Sequence, residues 1–338
     1  MRFNDVVIAS LVGVEAPQRV TTKELESRLA DNLGRLGLLP GTLEALSGIV
    51  ARRFWDEVTQ PSDAATKAAR QALEKAGVAP GQIGVLINTS VCRDYIEPST
   101  ASLVHGHLQL PPECLNFDLS NACLGFLNGM QLVAQMIERG QCDYGLVVDG
   151  ESSRYVVNRT LERLAAPGAN PQMLRSNIAT LTLGSGSAAA VITRRSLAPE
   201  GHRFVGMVSL AASQHNHLCR GQNDWMHTDA RGLLDAGLEL ADRTWGKAVE
   251  ELGWSRDALD HAVIHQVSKV HTEQFAEALA MDVERVPVIY PEHGNVGPAS
   301  VPMTAASAAA SGRIKVGDRV GLMGIGSGLN CAMAEIVW

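Results

Sequence analysis

Short apolar runs, bounded by glycine and separated by helix-patterned stretches, most narrow what this chain can fold into. Ile83 to Ile87, Tyr144 to Gly150, Ala188 to Ile192, Ala262 to Ile264 and Val320 to Met323 are all too short for a stable helix. None shows the strict polar alternation of a half-exposed strand, so they read as strands buried on both faces. The N-terminal run, Met1 to Ala9, interleaves its charges with apolar residues and reads as a first strand, not a signal peptide. Between the runs lie capped helices. Thr21 and Glu24 form a capping-box pair, Ser62-Asp63 opens an alanine-rich helix closed by Gly77, and the helix from Leu233 to Leu252 ends at Gly253. The order helix, glycine, strand, loop, elbow, helix, strand occurs twice, with a period of about half the chain, far too long for a solenoid. The expected architecture is α/β, with two βαβ-rich halves, residues 1–195 and 196–338, each a mostly parallel sheet with helical cover.

Composition excludes several classes of function. With 338 residues, 46% of them hydrophobic, the chain can bury a sizeable core, and a net charge of −7 argues against nucleic acid or an anionic membrane as main partner. No stretch approaches a membrane-spanning length without charge. The six cysteines include no C-x-x-C pair, which points to reduced thiols in a cytoplasm instead of a disulfide framework or zinc ribbon. No metal is expected: His215, His217 and Cys219 alternate as they would on one face of a strand, but lack a fourth ligand and the usual spacings. Gly184-Ser185-Gly186-Ser187 reads as a packing turn, since no lysine follows in the register of a phosphate-binding loop. Arg52 and Arg53 read as solvated surface residues, with contacts to substrate phosphates as the alternative, and Asp118 as structural.

The segment Asn116 to Phe126 carries the chemistry. An apolar run enters a tight turn holding Cys123, and a helix with apolar positions at Leu127, Met130, Ala134 and Ile137 begins there. A strand-to-helix elbow exposes its side chain, and a helix N-terminus lowers a thiol's pKa. Cys123 is thus either a nucleophile or a buried small hydrophobe. His265 ends a strand in the second half, and Asn295 lies in the comparable second-half elbow. Ligand sites of α/β sheets lie beyond the carboxyl ends of strands, so the three can converge on one cleft. Cys with His suits acyl chemistry, and an Asn amide suits an oxyanion.

Asn121-Ala122-Cys123, His265-Gln266-Val267-Ser268 and Gly294 to Pro302 together resemble the Cys-His-Asn condensing enzymes of the thiolase superfamily. Ser47-Gly48-Ile49, Pro98-Ser99-Thr100-Ala101, Gly184 to Ala189 and Gly324 to Gly328 extend the resemblance over nearly the whole chain. It is nearest to the β-ketoacyl-acyl-carrier-protein synthase III enzymes and their OleA-type relatives, which join two acyl-CoAs head to head in bacterial olefin biosynthesis. Where synthase III enzymes usually carry Phe before Pro-Ser-Thr-Ala, this chain has Glu97, and Leu46 stands where they have arginine.

The resemblance implies a five-layered αβαβα thiolase fold and a cytoplasmic homodimer. It further implies long-chain acyl-CoA substrates, no bound cofactor beyond the CoA they carry, and downstream pathway enzymes as partners. By it, Cys123 is acylated while the backbone N–H groups of Cys123, Ser327 and Gly328 hold the oxyanion. Glu97 from the neighbouring subunit removes an α-proton from a second acyl-CoA, and His265 and Asn295 hold the enolate. The product is a 2-alkyl-3-ketoacyl-CoA, released as the β-keto acid. Read from its surroundings alone, Glu97 is a solvated loop acid. A decarboxylating synthase III and a silent scaffold stand as competing readings.

Overall fold

The computed structural model describes residues 1–255 and 257–338. Nine strands form one sheet: β1 (Val6–Glu15), β2 (Ile83–Asn88), β3 (Leu115–Asp118), β4 (Tyr144–Glu151), β5 (Gly186–Arg194), β6 (His202–Ala211), β7 (His261–Ile264), β8 (Arg319–Gly326) and β9 (Asn330–Val337). Their order is β7-β8-β9-β6-β1-β5-β4-β2-β3. Only Val7 and Ile8 of β1 pair with β6, so a short seam joins two wings.

Six helices cover the wings: α1 (Pro61–Ala76), α2 (Thr100–Leu108), α3 (Gly125–Glu138), α4 (Ala230–Leu252), α5 (Lys269–Ala278) and α6 (Ser300–Ala310). Side chains alternating along each strand assign the layers. In β5, Ala188, Ala190 and Ile192 share a core with α3 and α6, whereas Ala189 and Val191 share one with α1 and α2. In β9, Ala332, Ala334 and Ile336 face the same inner core, and Cys331 and Met333 face α4 and α5. The layers therefore run α1/α2, sheet wing, α3/α6, sheet wing, α4/α5, the expected αβαβα stack.

Caps and small residues set this packing. The Thr21–Glu24 capping box is present. Gln60, two residues before the expected start, caps α1 together with Asp63, and Gly77 ends that helix in the left-handed region at φ 65°. A Cβ on Gly150 would lie 2.1 Å from the Pro61 carbonyl oxygen, so only glycine lets α1 approach β4 this closely.

The expectation of mostly parallel strands is corrected. β2 pairs in parallel with β3 and β4, and β7 with β8, while the other five pairings in the sheet are antiparallel. Cover on both faces makes a strand continuously apolar whichever way its neighbours run, so the apolar runs carried no information on direction. Strand limits also move: β1 starts at Val6 and reaches Glu15, β5 takes in Gly186, and Gly324 to Gly326 belong to β8, leaving the turn at residues 327–329. Among the described residues no helix is long and apolar enough to cross a membrane.

Candidate active site

A cleft of about 1440 Å³ opens at the carboxyl ends of β2, β4, β7 and β8, and Cys123, His265, Asn295 and Ser327 all line it. The sequence separates these residues widely; the layered fold brings them together because each terminates a strand or opens a helix on the same edge.

Cys123 sits in a one-turn 3₁₀ helix, Ala122–Leu124, directly before α3. Asn121 pins this elbow by donating to Asn128 Oδ1 (2.6 Å) and accepting from Asn330 Nδ2 (3.0 Å). Ala122 adopts φ 45°, a left-handed conformation costing a non-glycine residue about 1–2 kcal/mol, the kind of local strain that presents a nucleophile. Two glycines of β8 give the elbow room. A Cβ on Gly326 would stand 3.4 Å from the Cys123 nitrogen, and one on Gly324 would meet Leu124 at 2.8 Å and His265 Cβ at 3.3 Å.

The thiol's environment corrects the expectation of a lowered pKa. Cys123 is half-buried by surface area, yet the enclosing cleft strips solvent from the sulfur and pushes the thiol up to about 12, with Cys219 and Glu151 adding in the same direction. The 3₁₀ turn that separates the thiol from the α-helix proper is too short to outweigh that desolvation. A resting thiol must therefore lose its proton as it attacks. His265 lies in the same cleft: 2% exposed, held neutral by burial with its pKa pushed down to about 3, and with neither ring nitrogen hydrogen-bonded among the described residues. Its neighbour Gln266 locks the strand end, donating to the Pro287 carbonyl (2.9 Å) and accepting from the Ile289 and Tyr290 N–H groups (2.8 and 3.0 Å).

Asn295 is clamped through its backbone to the other half, donating to the Thr182 carbonyl and accepting from the Gly184 N–H, both at 2.8 Å. Its Oδ1 accepts from the Gly297 N–H (3.0 Å), which leaves the amide nitrogen to donate into the cleft. Gly328 follows Ser327 in the turn after β8 but does not line the cleft. Glu97 is exposed and does not line it either. It lies on the loop after β2, beside Tyr95 and Ile96, which are 59% and 95% exposed, and of these Ile96 reaches the cleft lining.

Several cleft residues were not read from the sequence. Glu151, 4% exposed at the end of β4, has its carboxyl raised to about 7, chiefly by burial. Asp149, on the same strand, is held well above the usual carboxylate range, again by burial first and then by the neighbouring Glu151. Cys92, Cys219 and His271 also line the cleft, and the His271 ring lies 6.4 Å from that of His265. For Glu151 the position at the carboxyl end of a strand was the available signal. Three other readings change or sharpen. Arg52 is buried at 1% exposure, donating to Thr22 Oγ1 (2.9 Å) and the Leu181 carbonyl (2.7 Å), so it is neither a surface residue nor available to a substrate phosphate. His215 lies in a turn, apart from the Cys219–Gly221 strand. Asp118 is structural, accepting from the Thr100 and Ala101 N–H groups (3.1 and 2.8 Å).

The cleft carries apolar walls, Leu46, Ile96, Leu234 and Val270 among them. A second cavity of about 860 Å³, lined by Leu36, Leu38, Leu174 and Ile178, shares Leu46 and Ala230 with it. The first volume alone exceeds the usual range for one small ligand, roughly 300–1000 Å³.

The neutral His265 gives a pH prediction. The unfolded chain protonates this imidazole below about pH 6.5, whereas the folded chain does so only near 3, so stability is lost as pH falls through that window. The His265→Asn protein escapes this penalty. Between pH 7.5 and pH 5 it should lose about 2 kcal/mol less stability than the parent in urea titrations. An equal loss in both proteins would show that His265 is charged in the folded state.

Residues 117–212 match the 3-oxoacyl-acyl-carrier-protein synthase III family, and residues 249–338 its C-terminal family. The chain is 49% identical to the acyl-CoA:acyl-CoA alkyltransferase of Xanthomonas campestris pv. campestris and 38% identical to that of Shewanella oneidensis, over the full length of all three chains. A solved cysteine-to-alanine variant of Xanthomonas campestris OleA matches at TM-score 0.98 and 49% identity, covering all of this chain and 98% of that one. Other solved variants of the same protein replace a glutamate or a histidine. There the glutamate precedes the replaced cysteine by 26 residues and the histidine follows it by 142, the separations of Glu97, Cys123 and His265 here.

Proposed function

The chain belongs to the thiolase-superfamily condensing enzymes, in the OleA group related to 3-oxoacyl-acyl-carrier-protein synthase III, and from that membership we propose that it joins two long-chain acyl-CoAs without decarboxylation. The observation that carries this reading is a division of the site. Cys123, His265 and Asn295 meet in the cleft, while the carboxylate expected to make a carbanion stands exposed outside it, on a loop with an apolar tip. That arrangement suits a homodimer in which each subunit lends Glu97 to its partner.

In the first half-reaction the Cys123 sulfur attacks a thioester carbonyl, its proton passing to His265. The C–S bond to CoA breaks, and CoA leaves as the thiol, taking that proton back from His265. The N–H groups of Cys123 and of the Ser327–Gly328 turn hold the oxyanion. Glu97 of the second subunit then takes an α-proton from another acyl-CoA, whose enolate oxygen is held by His265 and Asn295. The carbanion attacks the acyl-enzyme, a C–C bond forms, and the C–S bond to Cys123 breaks. The product is a 2-alkyl-3-ketoacyl-CoA; water then cleaves its thioester, releasing the second CoA and the β-keto acid for conversion to olefin hydrocarbons. Two alkyl chains need two spaces, and the two cavities adjoin through Leu46, Thr228, Ala230 and Arg231, with Leu46 standing where synthase III enzymes carry arginine. The soluble CoA thioesters suit a cytoplasmic enzyme.

The test is incubation with a long-chain acyl-CoA as sole substrate, followed by mass spectrometry of the products. Free CoA and a β-keto acid or its ketone are expected. A strict need for a malonyl donor would instead make the protein a decarboxylating synthase.

A further inference from the structure

Glu151 lines the cleft, yet the scheme above leaves it without a task. A buried carboxyl with a raised pKa in a cleft has the usual profile of a general base. The hydrogen bonds decide against that role. Oε1 accepts from the Val91 N–H (2.6 Å) and Oε2 from the Cys92 N–H (3.2 Å), so each oxygen holds a backbone amide and the carboxylate is fixed to the loop instead of being free to turn to a substrate. The bonded amides begin the loop that leads to Glu97. The strand end holds that loop at further points: the Gly150 N–H donates to Ser90 Oγ (2.7 Å), and Thr89 Oγ1 donates to Asp149 (2.7 Å).

The loop's far end is gripped the same way. Asp118 pairs with Arg93 and accepts from the Thr100 and Ala101 N–H groups, and Asp94 accepts from Ser62 Oγ (2.6 Å). The tip, residues 95–97, projects between these anchors.

We propose that Glu151 is a positioning residue: by accepting from Val91 and Cys92 it anchors the base of the loop whose tip presents Glu97 to the second subunit's cleft, so that proton abstraction there depends on it. The inference rests on the reading of Glu97 as the base.

Full-length Glu151→Gln and Glu151→Asp proteins test it by hydrogen exchange and by separate assays of Cys123 acylation and of condensation. The glutamine amide turns an acceptor into a donor facing a backbone N–H and breaks one anchor. Exchange in residues 89–97 should then rise on the order of tenfold, the worth of one hydrogen bond. Condensation should fall at least tenfold, while acylation changes by less than about threefold. Aspartate keeps two acceptor oxygens and should recover part of both protection and condensation; should the glutamine protein not fold, its partial losses in the same readouts carry the test. Lost condensation with unchanged loop exchange would make Glu151 itself the base and overturn the proposal. Exchange rising throughout the chain, with both half-reactions falling together, would also overturn it. Condensation surviving in Glu97→Ala would instead refute the base assignment, and faster loop exchange in Glu151→Gln would still report the anchor.

Discussion

Cys123→Ala protein is expected to take up no acyl group from a long-chain acyl-CoA, with CoA release falling by on the order of 10⁴–10⁶, the scale on which covalent catalysts lose rate when the nucleophile is removed. The fold should survive, because the elbow is held by Asn121 and by the glycines of β8, none of which bonds the sulfur. Intact-protein mass spectrometry reads the result: the parent gains one acyl mass that maps to the Cys123 peptide, and the variant gains none. An acyl group on Cys92 or Cys219, which line the same cleft, would move the nucleophile and sink the assignment.

Glu97→Ala should separate the half-reactions. Cys123 acylation needs only groups of one cleft and should continue near the parent rate, whereas α-proton removal loses its base and condensation falls by about 10²–10⁴-fold. Acyl-enzyme should therefore accumulate. Equal losses in acylation and condensation would contradict a base acting on the second substrate alone. Mixing Glu97→Ala with Cys123→Ala protein gives a sharper measurement. In a mixed dimer one cleft combines an intact Cys123 with an intact Glu97 from the other subunit, so activity should return if the glutamate crosses the interface. Two inactive parents that stay inactive after verified subunit exchange would place Glu97 in its own subunit's site.

Much of the fold was legible because its signals are local. Apolar runs, the Thr21–Glu24 capping box and glycine helix ends at Gly77 and Gly253 depend on neighbours a few residues away, and the structure keeps them. Strand direction was not legible, since helical cover on both faces erases the alternation that would report a strand's surroundings. The same division runs through the site. Cys123, His265 and Asn295 could be picked out as residue types at elbows and strand ends. Glu151 could not, because the apolar strand reading stopped one residue short of it and its work is done through backbone amides far away in sequence.

By itself, then, the sequence determined the α/β class and the chemical kinds of side chain available to a condensing site. Only the tertiary structure decided which of them share a cleft, and in which proton state. It buried the Cys123 thiol and kept it protonated, held His265 neutral, bonded both oxygens of Glu151 to backbone amides and left Glu97 facing outward. Proton affinity depends on solvent removed and charges brought near, which are properties of packing among residues far apart in the chain.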